Sequence, residues 1–183
     1  GAKNAFHECS LQIDRPNLWS PENPYLYKLV TSVRDESGQL LDQVKNPLGF
    51  RWFRFDPQTG FHLNGKHYKL IGSNRHQDYP GYGNALPDEL HRYDMKMMRD
   101  MGINFMRISH YPHDPAVLEM CDRYGFIAIE EIPFINLITM TDTFMENSKR
   151  MLREMIRRDY NHPSIVAWNT SNETSIRLDS KKR

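Results

Sequence analysis

From residue 68 onward, short apolar runs alternate four times with longer stretches of helical period. "YKLIGSNRH" (68–76), "INFMRIS" (103–109), "FIAIEEI" (126–132) and "SIVAWN" (164–169) read as strands. The first intervening helix is expected over 87–101. Pro87, Asp88 and Glu89 form its first turn, Leu90, Tyr93, Met97, Met98 and Met101 stripe one face, and Gly102 stops it. Asp114-Pro115 reads as an N-cap with proline at the first helical position, and Gly125 closes that short helix. A longer helix over about 141–159 carries Met151, Leu152, Met155 and Ile156 inward. This order requires a parallel α/β sheet.

Two sheet architectures satisfy the alternation, doubly wound and barrel. No Gly-x-Gly-x-x-Gly follows any of the strands, so the dinucleotide fingerprint is missing. Every strand instead ends in polar, chemically able residues: Asn74-Arg75-His76, Ser109-His110, Glu130-Glu131 and Asn172-Glu173. In a (β/α)8 barrel such ends meet at one face, where the site is built, so the barrel is favoured. A complete barrel takes eight strands in about 250 residues. The four strands here make the first half of one.

Residues 1–67 have a different texture. "YLYKLVTSV" (25–33) and the alternating "FRWFRF" (50–55) read as β, Gly38 supplies a turn, and "HLNGKHY" (62–68) carries an Asn-Gly hairpin signal. Prolines at 16, 21, 24, 47 and 57 punctuate the region. These strands are too few for a sandwich and read as its closing part.

Composition removes several function classes. The 183 residues carry a net charge of +1, which offers no field for nucleic acid or an anionic membrane. No run of 18 apolar residues is present to form a transmembrane helix. Cys9 and Cys121 match no metal or redox spacing. The basic stretch "KRMLREMIRRDY" (149–160) sets its cations opposite an apolar stripe and reads as a solvated helix face, and "DSKKR" at the end as a polar tail. The methionines at 95, 97, 98 and 101 read as core packing.

Several longer strings narrow the reading. "GSNRHQDYPGYGNALPDEL", "MRISHYPHDPAVLEMCDRYG", "IEEIP" and "NHPSIVAWNTSNE" resemble the barrel of family 2 glycoside hydrolases, the β-galactosidase and β-glucuronidase group. "LWSPENPYLY" and "LGFR" resemble the end of the immunoglobulin-like sandwich that precedes that barrel. The resemblance implies an end of a sandwich domain over 1–55 and the N-terminal half of a TIM-barrel catalytic domain over 56–183. The loop "NRHQDYPGYGNAL" is more similar to the β-galactosidase branch, so a β-galactoside oligosaccharide is the expected substrate. β-Glucuronidase and β-mannosidase activity are the enzymatic alternatives, and a non-catalytic carbohydrate-binding or scaffold module is the rival of another class.

By the same resemblance Glu173 is the general acid/base, Asn172 binds the sugar 2-hydroxyl and His110 contacts ring hydroxyls. Ser171 stands where the family usually has Gly or Ala. Arg107, His76 and Asp78 are further substrate-contact candidates, with a plain buried ion pair as the competing reading for Arg107 and for Arg75, and a loop-stabilising hydrogen bond for His76 and Asp78. One of Glu130 and Glu131, chiefly Glu131, is expected to orient Arg107 or Arg75, and Arg75 to play a supporting part. The nucleophile is implied beyond residue 183, so the isolated chain is expected to be inert.

His110, His113 and Asp114 could suggest zinc, but Asp114 already has a capping role, so no metal site is expected there. A divalent cation near Glu173 of a longer protein is the one cofactor that the resemblance leaves open. Ser109-His110 lacks the glycines of a nucleophile elbow. Trp168 suits either sugar stacking or the core. A half barrel leaves its first and fourth strands as open edges, so self-association is expected.

Overall fold

A computed structural model describes residues 8–174; the expected polar tail at 179–183 lies outside the described residues. Strands β1 (Tyr27–Arg34) and β2 (Leu40–Leu48) form an antiparallel hairpin. Its turn is held by Asp35, whose carboxylate accepts from the Ser37 and Gln39 backbone N–H groups at 2.9 Å. Tyr27, Leu29, Thr31 and Val33 of β1 share a face with Val44 and Leu48 of β2. Tyr27 and Leu48 are half-buried at the end of that face nearest α2, while Leu29, Val33 and Val44 are exposed.

Strands β3 (Phe53–Asp56), β4 (Gly60–Leu63) and β5 (Lys66–His67) form a second antiparallel sheet. The expected Asn-Gly hairpin joins β4 to β5, with Asn64 and Gly65 both at positive φ, as a tight two-residue turn demands. Strand β3 runs across the expected division after residue 55.

Strands β6 (Gly72–Arg75), β7 (Phe105–Ile108), β8 (Ile127–Glu131) and β9 (Ile165–Asn169) lie parallel in that order. Helices α1 (Asp88–Asp100), α2 (Pro115–Tyr124) and α3 (Asp142–Asp159) connect them. Asp114 caps α2 by accepting from the Ala116 N–H at 2.9 Å, the role that argued against zinc. Thr141 caps α3. Met151, Leu152, Met155 and Ile156 of α3 turn inward as expected. Strand β6 is shorter than the apolar run that announced it, because Tyr68 and Leu70 leave the ladder to pack under the sheet.

The buried face of α1 is not the expected stripe. His91 and Met95 are buried and Met98 packs against them, while Tyr93, Met97 and Met101 are exposed. Arg75 projects into the helix layer, and the face that α1 turns toward the sheet carries its partners His91 and Asp94. The core-packing reading therefore holds for Met95 and Met98 and fails for Met97 and Met101.

Each face of the parallel sheet carries its own core. Met106, Ile108, Ala128 and Ile165 pack outward against the helices. On the other face Trp19, Phe61, Leu63, Ile127 and Val166 form a second cluster. Residues 18–63 thus cap the barrel side of the sheet near its strand starts. Trp19 Nε1 donates to the Asp122 carbonyl at 2.8 Å, and Arg51 donates to the Pro163 and Ile165 carbonyls at 3.0 and 2.7 Å. Gly125, in left-handed conformation at the end of α2, lets this segment approach: a Cβ there would sit 2.5 Å from the Pro21 carbonyl oxygen.

One irregularity decides which side chains reach the site. Ala128 pairs with Ile165 but Ile129 pairs with Ala167, so Val166 is an extra residue in β9. Such a bulge shifts the alternation by one. Trp168 consequently pairs with Glu130 on the helix side and packs into the outer core, and Asn169 pairs with Glu131 on the inner side.

Candidate active site

The inner face presents Arg107 from β7, Glu131 from β8 and Asn169 from β9, all at strand C-terminal ends. His110 and Asn172 lie in the loops that follow β7 and β9. Glu131 is fully buried and is the hub. It accepts from Arg107 Nη2 at 2.9 and 3.2 Å, from His110 Nδ1, and from Asn169 Nδ2. The guanidinium balances the carboxylate charge, which a buried ion requires. Arg107 Nη2 also donates to Asn172 Oδ1 at 2.9 Å.

A carboxylate only accepts, so the His110 Nδ1 that meets Glu131 carries a proton. The 3.3 Å approach of Arg107 Nη2 to that nitrogen is then a contact between donors rather than a hydrogen bond, and Nε2 has no partner among the described residues. His76, exposed, stands edge-on to His110 with ring centres 5.0 Å apart. The loop holding His76 is fastened at its base: Gln77 accepts from the Asp114 N–H and donates to the Asn84 carbonyl.

The backbone around Asn172 is tied to the loop after β8. Its N–H donates to the Phe134 carbonyl at 2.8 Å, and its carbonyl accepts from the Asn136 N–H at 3.0 Å. Glu173 follows immediately, at φ 54°, a left-handed conformation that costs a residue with a side chain about 1–3 kcal/mol. Its carboxylate is exposed and has no hydrogen bond to another described residue.

The remaining expectations divide. Glu131 holds Arg107, as expected of one of the two glutamates. Glu130 is also fully buried but points to the helix layer, where Arg158 Nη2 donates to it at 3.1 Å. That arginine is the one cation of the basic helix that turns toward the protein, also gripping Asp159. Arg75 is likewise on the helix side. It pairs with Asp94 at 2.9 Å and donates to His91 Nδ1 and His113 Nδ1, so the plain buried ion pair describes it. Burial is the main cause that holds His113 down to about 3, keeping it a neutral ring that donates from Nε2 to the Ser109 carbonyl. Asp78 is exposed, with no side-chain partner among the described residues. Trp168 is excluded from sugar stacking by the bulge. Among the described residues no three His, Cys, Asp or Glu side chains are grouped to hold a metal ion.

Asn169 is the hub member that the sequence did not disclose. Strict alternation from Val166 would point it outward, and nothing in "SIVAWN" signals the extra residue.

Comparison with known proteins gives the arrangement its relatives. Residues 57–182 match the family model for glycosyl hydrolases family 2, TIM barrel domain, and residues 1–51 match the model for glycosyl hydrolases family 2. A β-glucuronidase of Bacteroides fragilis is 41% identical over 92% of this chain and 25% of its own length. A β-galactosidase of Thermoanaerobacter pseudethanolicus is 37% identical over 86% of this chain and 21% of its own. The structure of Bacteroides uniformis β-glucuronidase 2, covalently bound to cyclophellitol-6-carboxylate aziridine, superposes with a TM-score of 0.86 at 48% identity, covering 94% of this chain and 21% of that one. The chain thus spans about a fifth to a quarter of the length of these relatives. The parallel sheet with its helices is part of a TIM barrel; β4 and β5 fall within the same match, whereas β1 and β2 fall within the match to the preceding sandwich domain. The chain belongs to family 2 of the glycosyl hydrolases.

Proposed function

We propose that the protein carrying this chain is a retaining β-glycosidase, with Glu173 as its general acid/base. The observation that carries this reading is the convergence of Arg107, His110, Glu131 and Asn172 at the strand ends, one residue before Glu173. Retaining hydrolysis places a proton donor and a nucleophilic carboxylate about 5 Å apart. The negative nucleophile raises the donor's pKa, so Glu173 protonates the departing oxygen. Once the nucleophile is esterified its charge is gone, and Glu173 serves as base for the incoming water. Asn172 binds the 2-hydroxyl, His110 offers Nε2 to a ring hydroxyl, and His76 borders the same space. Asp78 remains a candidate.

The nucleophile lies on a strand beyond residue 183, so residues 56–183 are half of a catalytic domain and residues 1–55 close the sandwich. For the sugar, a β-glucuronide is the first reading, supported by 48% and 41% identity to β-glucuronidases. A β-galactoside, the substrate suggested by the loop at 74–86, is the second, supported by β-galactosidase relatives at 33–39% identity.

The test is a panel of aryl β-glucuronides and β-galactosides on the full-length protein and its Glu173→Gln variant. The variant should lose about 10²- to 10⁴-fold on substrates with poor leaving groups, which need the proton, and much less on dinitrophenyl glycosides. A variant as fast as wild type on a poor leaving group removes Glu173 from the mechanism. A full-length protein that binds both sugars and cleaves neither favours a carbohydrate-binding module.

A further inference from the structure

We propose that Asn169 is a positioning residue that acts through Glu131 and Arg107 to turn the amide nitrogen of Asn172 toward the bound sugar. The inference rests on the glycosidase reading and names a residue that reading does not use. Its basis is that every hydrogen bond in the chain of four side chains has only one possible direction.

The sequence of bonds starts at Asn169. Its Oδ1 accepts from the Thr170 backbone N–H at 3.0 Å, so its Nδ2 is the group that faces Glu131. The Glu131 carboxylate, an acceptor only, receives that N–H together with those of Arg107 and His110. Arg107, a donor only, spends one Nη2 hydrogen on Glu131 and has the other for Asn172. The Asn172 atom that meets Arg107 must therefore be Oδ1. Its Nδ2 is left as a donor on the opposite side of the amide, available to the oxygen of a sugar 2-hydroxyl.

Two features make Asn169 more than filling. The hub holds one guanidinium and one carboxylate, so a neutral donor steadies Glu131 without adding charge. Asn169 also reaches the hub only because β9 contains the extra Val166, which interrupts the ladder and reverses the faces beyond it. Without its third donor, the Glu131 carboxylate is free to rotate toward Arg107 and His110. Arg107 then follows it, and the grip on Asn172 slackens.

The experiment uses the full-length protein, with matched ordinary and 2-deoxy aryl glycosides. Asn169→Ala should lower kcat/KM on the ordinary substrate about tenfold to a hundredfold, the worth of one charge-assisted hydrogen bond. On the 2-deoxy substrate, which lacks the group that Asn172 meets, the fall should stay within about twofold. Asn169→Asp is the second variant, nearly identical in shape. As a carboxylate it repels Glu131, and once protonated it donates again, so its activity relative to wild type should rise as pH falls. Equal losses on both substrates, or an Asn169→Asp ratio that is flat with pH, overturn the proposal as a merely structural effect. A wild type indifferent to the 2-hydroxyl also overturns it, while leaving the role of Glu173, read separately from Glu173→Gln, intact.

Discussion

Arg107 reaches Asn172 across 65 residues of chain, donating from Nη2 to Oδ1 at 2.9 Å while the same nitrogen holds Glu131 at 2.9 Å. Two acceptors on two different elements thus depend on one planar donor group. Arg107→Lys supplies a point charge on a flexible stem and cannot serve both with the same geometry. In the full-length protein kcat/KM is expected to drop about 10²-fold, the scale of a misplaced polar contact at a reacting centre. Steady-state kinetics check it, and a lysine variant within twofold of wild type would show that the bond to Asn172 does not matter.

Glu130 leads to a pH prediction of unusual sign. Burial, followed by the nearby Asp159 charge and a hydrogen bond to Asp159, pushes its carboxyl from the ordinary 4.5 up to about 8, against the attraction of Arg158. Glu130 Oε2 is buried without a hydrogen-bond partner, so the charge of Arg158, held on Oε1, is left to offset the cost of ionising it. The folded state then holds more protons than the unfolded one between about pH 4.5 and 8, so stability falls as pH rises through that window. Glu130→Gln keeps the size and the donor and cannot ionise. The difference in Tm between wild type and this variant should turn against wild type as pH rises from 5 to 8, and thermal unfolding across that range measures it. A difference independent of pH rejects the buried acid.

How far the sequence carried this reading depends on whether a property is local. The four strands and three helices follow from period and capping, and Asp114, Gly125 and the Asn64-Gly65 turn each act within a few residues of themselves. The lumen hub was legible in part, since Arg107, His110, Glu131 and Asn172 stand at strand ends that a barrel must gather. What escaped depends on pairing between strands. The facing of Trp168 and Asn169 is set by a bulge against β8, and no residue within β9 encodes it. Arg75 and Arg107 look alike at the ends of neighbouring strands, yet a one-residue difference in phase sends one to the helices and the other to the lumen.

Asp122 fastens the end of α2 to the start of β9. Its buried carboxylate accepts from the Ser164 N–H and hydroxyl and from His162 Nδ1 at 2.6 Å. Burial works against a charged His162, but the hydrogen bond and charge of Asp122 outweigh it and raise the imidazole above its ordinary value. Asp122→Ala strands three donors at once and should cost about 3–5 kcal/mol. Asp122→Asn keeps one acceptor and should cost less. Urea unfolding at fixed protein concentration orders the two variants, and an alanine variant no worse than the asparagine one contradicts this account of the junction.

The sheet leaves β6 and β9 each with a neighbour on one side only. The free side of each presents backbone donors and acceptors, and beside β6 Ile71 is exposed while Leu70 packs only in part against the inner cluster. An open parallel sheet with an apolar flank pairs with whatever matches its twist. For the 183-residue chain alone, the available match is another copy, so light scattering should report a mass of at least twice 21.7 kDa at micromolar concentration. The better match is the remainder of the barrel. Co-expression of the segment that follows residue 183 in the full-length protein should replace the self-pairing with a one-to-one complex, because that segment's edges were shaped for these two. The complex would also bring the missing carboxylate to Glu173, so aryl glycoside hydrolysis should appear on mixing, while each part alone stays silent. A chain that remains monomeric at every concentration removes the edges as the driving surface, and hydrolysis by the isolated chain removes the claim that its nucleophile lies elsewhere.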